Sequence, residues 1–391
     1  MNMNFNFNNP TNLIFGRGAL NQLGSLPMPG KKALVLISNG KSTRENGYLD
    51  RTLEQLKKAG VETALFDKIM ENPVKDVIME GASFARENQC DFIVALGGGA
   101  VIDASAAIAA MATNEGDLWD YVFGGTGKCK PLAKKGLPIV AVATTSGTGS
   151  EMNGFGVISN LETKEKIGFG DPGLTPVLAV VDPELMTTVP AKYTAYQGFD
   201  ALFHNTEVMM SKGVNVLSEA IALSAIENIT KYLPRAVKDG KDIEAREHIA
   251  YGSTIAGVTM QLTSTIAQHS MEHSMSAYHH NLSHGAGLIM ISKAFAEFFI
   301  ERHACDEQFI KMAKVMGMTD ADKPEDFVTA LVKLQEDCGV ADLKMSDFGF
   351  TPDEARTLAK GARSMQGGLF EANPCEMTDE DCAGIFEKSY R

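Results

Sequence analysis

Five short apolar runs in the first half of the chain alternate with segments of helical spacing, and this alternation limits the fold more than any other feature. The runs are Lys32–Ser38 (KALVLIS), Glu62–Asp67 (ETALFD), Asp91–Gly99 (DFIVALGGG), Pro138–Thr145 (PIVAVATT) and Pro176–Pro183 (PVLAVVDP). Between the first three lie Arg44–Ala59 and Val74–Asn88, in which apolar residues recur at helical intervals. Strands that are apolar on both faces need cover on both, and intervening helices supply it. The pattern therefore predicts a parallel sheet, and residues 1–187 are expected to form a Rossmann-like α/β domain.

After Pro190 the period changes. Helical patterns run over Ala191–Ser211, Asn215–Leu233, Asp242–Ser276 and Gly285–Arg302, and β-branched runs bounded by turns disappear. Residues 188–391 are expected to form a second, all-helical domain. A chain of 391 residues suits two cores better than one. No internal repeat or low-complexity linker interrupts it.

Composition narrows the partners. With 44% hydrophobic and 22% charged residues the chain has the make-up of a folded globular protein. A formal net charge of −13 argues against nucleic acid or an anionic membrane as partner. It does not argue against a small anion held by backbone N–H groups. The six cysteines form no CxxC pair, which points to reduced thiols and a cytoplasmic setting. The start, MNMNFNFNNP, lacks the basic and apolar regions of a signal peptide, and nowhere do eighteen apolar residues run together to span a membrane.

Two regions carry metal-binding chemistry. Asp200 and His204 stand four apart in GFDALFHNTE, which places a carboxylate and an imidazole on one helix face. His269, His273, His279, His280 and His284 put five of the eight histidines within sixteen residues. A lone Asp-x-x-x-His pair is more often a satisfied core pair, but the two regions together favour a cation site. Imidazole nitrogens with a carboxylate suit Fe²⁺ or Zn²⁺ and are too nitrogen-rich for Mg²⁺ or Ca²⁺. The residue types do not separate iron from zinc.

A second constellation suits a dinucleotide. Gly97, Gly98 and Gly99 join an apolar strand to a helix, where backbone N–H groups can meet a pyrophosphate. The spacing is not GxGxxG, and a tight strand–helix turn reads the same way. Thr144, Thr145, Ser146, Thr148 and Ser150, with Gly147 and Gly149, follow the next strand and offer hydroxyls to a ligand.

In order, the chain reads PTNLIFGRGAL, GGGAVID, TTSGTGSE, the lysine of TKEKIGFGDP, AVVDPEL, GFDALFH, QHSMEHSMSAY and SHGAGL. This series resembles the iron-containing (group III) alcohol dehydrogenase family over nearly the whole length. The resemblance implies the dehydroquinate-synthase-like fold, an α/β domain that binds NAD(P) followed by a helical domain that holds the metal. It implies Asp200, His204, His269 and His284 as ligands of Fe²⁺ (or Zn²⁺), with His273 beside the metal as a proton relay. It places Gly98, Gly99 and Asp103 near the pyrophosphate and ribose, Thr144, Thr145, Thr148 and Ser150 on the nicotinamide side, and Lys166 on the cofactor. The implied reaction moves hydride between nicotinamide C4 and a small alcohol or aldehyde. A glycerol-dehydrogenase-like or dehydroquinate-synthase-like enzyme is the alternative; the latter needs basic clamps that the Asp200–His204 region does not offer.

Two departures bear on function. Ala100 stands where the family usually has serine, and the doublet His279–His280 is unusual, which makes His279 a rival for the relay. After the second strand, NAD-preferring members often carry an aspartate for the ribose hydroxyls. Here Asn39, Gly40, Lys41, Ser42 and Arg44 occupy the loop with no acid before Glu45. NADP(H) is therefore expected to be favoured, with NAD(H) the alternative. PTNLIFGRGAL is a candidate edge strand for a homodimer.

Overall fold

The structure, a computed structural model, describes residues 2–391. The chain divides into two compact units: Asn8–Thr188, and Val189–Arg391 together with the N-terminal residues through Phe7.

The first unit holds a six-stranded sheet with β1 (Asn12–Phe15), β2 (Lys32–Ser38), β3 (Glu62–Ile69), β4 (Phe92–Gly97), β5 (Ile139–Ala143) and β8 (Leu178–Val181). Their order is β1-β8-β5-β4-β2-β3, and every pairing is parallel. Strands β4, β5 and β8 are buried along their whole length, as a sheet covered on both faces requires. Helices α1 (Ser42–Glu45), α2 (Tyr48–Lys58), α3 (Lys75–Glu87) and α4 (Gly99–Thr113) alternate with the early strands. The helix expected over 44–59 is two, because Gly47 adopts a left-handed conformation (φ 71°) and starts α2 afresh. From β2 the chain steps outward to β3 and then returns to the other side of β2 for β4. The carboxyl ends of β2 and β4 thus flank the switch point at which open α/β sheets bind ligands. A hairpin of β6 (Phe155–Asn160) and β7 (Glu165–Gly170), which the sequence pattern does not announce, packs on α4.

The second unit is built from α5 (Ala191–Met210), α6 (Val216–Lys238), α7 (Ile243–Leu262), α8 (Ala267–Tyr278), α9 (His284–Ile300), α10 (Asp306–Val315), α11 (Glu325–Asp337), α12 (Ala355–Glu371) and α13 (Asp379–Ser389). Helix α5 is buried on nearly all sides. Gly198 lets α6 approach it, since a Cβ there would lie 2.2 Å from Leu233 Cδ1.

The sequence pattern read Asp242–Ser276 as one helix. The structure breaks it between Leu262 and Ala267. The cause is tertiary: the Ile266 N–H donates to Glu207 Oε2 (2.8 Å) and the Ala267 N–H to Asn373 Oδ1 (3.1 Å). Two buried side chains from distant segments thus cap a new helix start. The break sets His269 in the first turn of α8, next to Glu207. Among the described residues, no helix is long and apolar enough to cross a membrane.

Candidate active site

Helix α5 brings Asp200 and His204 to one face, α8 brings His269 and His273, and His284 opens α9. Ligand-type atoms of Asp200, His269 and His284 lie within 4.8 Å of one another. Asp200 Oδ1 stands 3.6 Å from His269 Nε2, 3.5 Å from His284 Nε2 and 3.2 Å from His204 Nδ1. The His204 and His269 rings are 4.1 Å apart between centroids. The structure thus brings three of the expected ligands, Asp200, His269 and His284, into one cluster, and sets His204 beside it without making it part of that cluster.

One ring nitrogen of each imidazole has a hydrogen-bond partner. His204 Nδ1 donates to the Asp200 backbone carbonyl at 2.9 Å, since a carbonyl can only accept. His269 Nδ1 is bound to Glu207 Oε1, and His284 Nδ1 to Glu272 Oε2. Both glutamates are fully buried. A buried carboxylate behind an imidazole fixes the ring and makes its other nitrogen a better donor to a metal. By contrast Asp200 Oδ1 and His269 Nε2 are buried without a hydrogen-bond partner. Orphaned polar atoms of opposite character, too far apart to bond each other, fit a cation between them.

Charge follows geometry. Burial by itself raises the Asp200 carboxyl pKa, but the neighbouring His204 and His284 outweigh it and hold the group well below its ordinary range. Burial, helped by the charge of His269, pushes His204 down to about 3 and keeps it neutral, as a ligand must be. Burial also opposes the charged form of His269, yet the Glu207 charge and the contacts with Asp200 and Glu207 raise it to about 10.

Of the remaining histidines, His273 forms a second group with Glu272 and His284, whose ligand-type atoms lie within 4.8 Å of one another, whereas His279 stands apart. The His273 ring lies 5.4 Å from that of His284, and its Nδ1 is bound to Gln366 Oε1. His279 Nε2 binds Glu354 Oε1 at 3.0 Å, and its ring packs on Phe350 with centroids 3.8 Å apart. That same Glu354 caps Thr351, so His279 ties the end of α8 to the approach to α12. It belongs to neither group of clustered ligand atoms among the described residues.

In the α/β unit, Gly97 ends β4, Gly98 caps α4 and Gly99 opens it, with no side-chain cap at the helix start. Thr144 donates its N–H to the Gly97 carbonyl (2.9 Å), which binds the hydroxyl loop to the glycine turn. A Cβ on Gly98 would lie 2.8 Å from Thr145 Oγ1, and one on Gly99 would lie 2.4 Å from Thr148 Cγ2. The glycines are needed for this fit. Asp103 acts as a brace: its carboxylate accepts from Ser150 Oγ (2.6 Å) and from the Val157 N–H (2.9 Å). Lys166 is buried on β7. Asn39, Gly40, Lys41 and Ser42 are exposed beyond the end of β2. Phe155 is exposed, whereas Phe169 and Phe203 are core residues.

Gly99→Ala is expected to weaken dinucleotide binding by about tenfold or more, because overpacking against a stiff β-branched side chain costs roughly 1–3 kcal/mol. Titration of the cofactor against bound metal checks this. Metal content should stay at the wild-type level, since the residues expected to hold the cation lie in the other unit.

Sequence reading missed Glu207, Glu272, Gln366 and Asp67. Glu207 and Glu272 each lie three residues beyond a histidine expected to be a ligand, His204 and His269, a spacing that would have flagged them. Asp67 pairs with Arg44, so the β2 loop that has no acid of its own meets one from β3.

A sequence model described as iron-containing alcohol dehydrogenase matches residues 10–183, and one for the C-terminal part of the Fe-containing alcohol dehydrogenase family matches residues 194–390. The chain is 32% identical to a 1,3-propanediol dehydrogenase of Klebsiella pneumoniae, over 99% of each protein. It is 31% identical to an NAD-dependent methanol dehydrogenase of Bacillus methanolicus, over 98% of this chain and 99% of the relative. Among solved structures, an alcohol dehydrogenase from an archaeal halo-thermophile of a Red Sea brine pool superposes with a TM-score of 0.94. It shares 34% identity, with both chains fully covered. A butanol dehydrogenase of Thermotoga maritima, described as NADH-dependent, gives 0.88 at 29% identity over 100% of this chain and 99% of that one.

Proposed function

The chain belongs to the iron-containing alcohol dehydrogenase family, and from that premise we propose that Asp200, His204, His269 and His284 hold the cation of a nicotinamide-linked alcohol dehydrogenase acting on small alcohols and aldehydes. The observation that carries this is the pair of orphaned buried atoms, Asp200 Oδ1 and His269 Nε2, within a ring of anchored imidazoles. A divalent cation bound there supplies Lewis acidity toward the substrate oxygen, and the dinucleotide supplies the hydride acceptor or donor.

The chain's own residues do the rest. Glu207 and Glu272 fix two imidazoles with Nε2 toward the Asp200 carboxylate, and the Asp200 carbonyl holds Nδ1 of His204. Oxidation of an alcohol sends a hydride to nicotinamide C4 and leaves one proton from the hydroxyl. His273, anchored at Nδ1, takes that proton at Nε2 and passes it to solvent; reduction runs the same path backwards. The glycine turn with the start of α4 receives the pyrophosphate, and Thr144, Thr145 and Thr148 face the nicotinamide half. Ser150 and Asp103 brace that loop, and Lys166 contacts the cofactor.

NADP(H) preference is the finer reading, supported by the exposed Lys41 and Ser42 and the absence of an acid in their loop. Arg44 would exchange Asp67 for a 2′-phosphate, trading one carboxylate for a more highly charged acceptor. The expected result is a higher kcat/KM for NADPH than for NADH, cut by about tenfold in Lys41→Ala if one charge-assisted hydrogen bond is lost. A clear preference for NADH sinks this assignment. The edge position of β1 supports a homodimer through that strand, and the free cysteines support a reducing, cytoplasmic setting. Turnover of a panel of short aldehydes, followed at the nicotinamide band with both cofactors, tests the activity itself.

A further inference from the structure

Helices α8 and α12 are locked side by side by a ladder that has nothing to do with the cation. Ser270 Oγ donates to the Ala362 carbonyl (2.8 Å), and one turn on, Ser274 Oγ donates to the Leu358 carbonyl (2.9 Å). Gly361 permits the approach, since a Cβ there would lie 2.5 Å from Ser274 Oγ. The ladder fixes the antiparallel register of the two helices. Just beyond its last rung, α12 leaves helical geometry at one residue, Gln366 (φ −143°, ψ 56°), which two glycines follow. The side chain of that residue meets His273 Nδ1 through its carbonyl oxygen Oε1.

We propose that this break makes Gln366 the positioning residue of the proton relay: its amide oxygen holds His273 as the Nδ1–H tautomer and confines proton exchange to Nε2. The chemistry is specific. An amide oxygen can only accept, so the proton on Nδ1 is fixed and the ring cannot turn over. Side chains on α8 point back toward its N-terminus, so the His273 ring lies over the turn that carries His269 and Ser270. That turn faces the end of the α12 ladder, where a polar side chain is needed, and the break at Gln366 delivers it. The other three imidazoles of the cluster are anchored from α5 or α8 itself, His204 by Asp200, His269 by Glu207 and His284 by Glu272. His273 is anchored across the α8–α12 contact, so its orientation depends on how α12 is built.

This inference rests on the dehydrogenase reading above, and the test separates the two. Gln366→Met keeps the side-chain length and removes the acceptor. It is expected to lower kcat by about tenfold or more, as a misdirected acid–base group should, with KM and bound metal unchanged. Gln366→Glu restores an oxygen at the same reach and is expected to recover most of the loss. In a His273→Ala background the Met change should cost nothing further, because a residue that acts only through the imidazole has nothing left to act on. If Gln366→Met perturbs the melting temperature, Gln366→Asn, one methylene too short to reach, carries the same comparison. Wild-type kcat in Gln366→Met, or an equal further loss in the His273→Ala background, overturns the positioning role. Full turnover in His273→Ala alone removes the relay, and this inference with it, while a slow His273→Ala with a silent Gln366→Met removes only the inference.

Discussion

His269→Ala is expected to leave the protein folded but without bound cation, and to lower turnover on the order of a thousandfold. Loss of Lewis-acid stabilisation worth several kcal/mol removes that much rate. Among the proposed ligands, His269 is held on both sides of its ring. Its Nδ1 is bound to the fully buried Glu207, and its Nε2 faces Asp200 Oδ1 at 3.6 Å without a hydrogen bond. Removing the ring takes away one ligand and strands two buried carboxylates, so a lower melting temperature is expected beside the catalytic loss. His284→Ala should behave alike, whereas His279→Ala, which breaks a contact with Glu354 and Phe350, should keep its metal. Bound metal per chain, measured beside kcat, separates these outcomes. Retention of the cation in His269→Ala would exclude this residue as a ligand.

The second large effect is pH dependence of cation binding. In the metal-free protein His269 stays protonated up to about pH 10, held there by Glu207 against the cost of burial. His204, at about 3, is already neutral, and Asp200 is already ionised. A cation must therefore displace one proton from His269, and its apparent affinity should rise about tenfold per pH unit across the neutral range. The stability of the metal-free protein runs the other way. A histidine raised from 6.5 to about 10 contributes stability that is fully present below pH 6.5 and fades as pH climbs toward 10. Glu207→Gln should flatten both dependences, since it removes the largest charge that holds the His269 proton against burial. It should also weaken the metal by roughly 10–100-fold, the usual cost of losing a partner behind a ligand histidine. Metal titrations at pH 6, 7 and 8 on both proteins check this; parallel slopes would show that Glu207 does not set the His269 proton.

What the chain discloses in advance follows from how local each signal is. The parallel sheet is legible because KALVLIS, DFIVALGGG and PIVAVATT are apolar on both faces, a pattern that only covered strands sustain. The β6–β7 hairpin is not, because buried Ser159, Asn160, Glu165 and Lys166 break the apolar alternation, and Glu165 is satisfied from outside the hairpin by Trp119 and Thr126. The break before α8 escapes notice for a related reason. Thr263–Ile266 holds neither glycine nor proline, and its caps come from Glu207 and Asn373. The histidines announce a cation site because they are rare and clustered. Their anchors do not, since Glu207, Glu272 and Gln366 are ordinary helix residues whose role depends on packing, and Gln366 lies 93 positions from His273. The β2 loop shows the same limit: reading it alone finds no acid, and Asp67 arrives from 23 positions beyond Arg44.

The central claim, that a cation held by Asp200, His204, His269 and His284 drives hydride exchange with a small alcohol or aldehyde, is tested most directly by stripping and restoring the metal. The protein is depleted with a chelator, its residual metal quantified, and aldehyde-dependent oxidation of NADPH and NADH recorded before and after adding Fe²⁺ or Zn²⁺. Activity that disappears with the metal and returns with one ion per chain is the expected result; full turnover by the metal-free protein would contradict it.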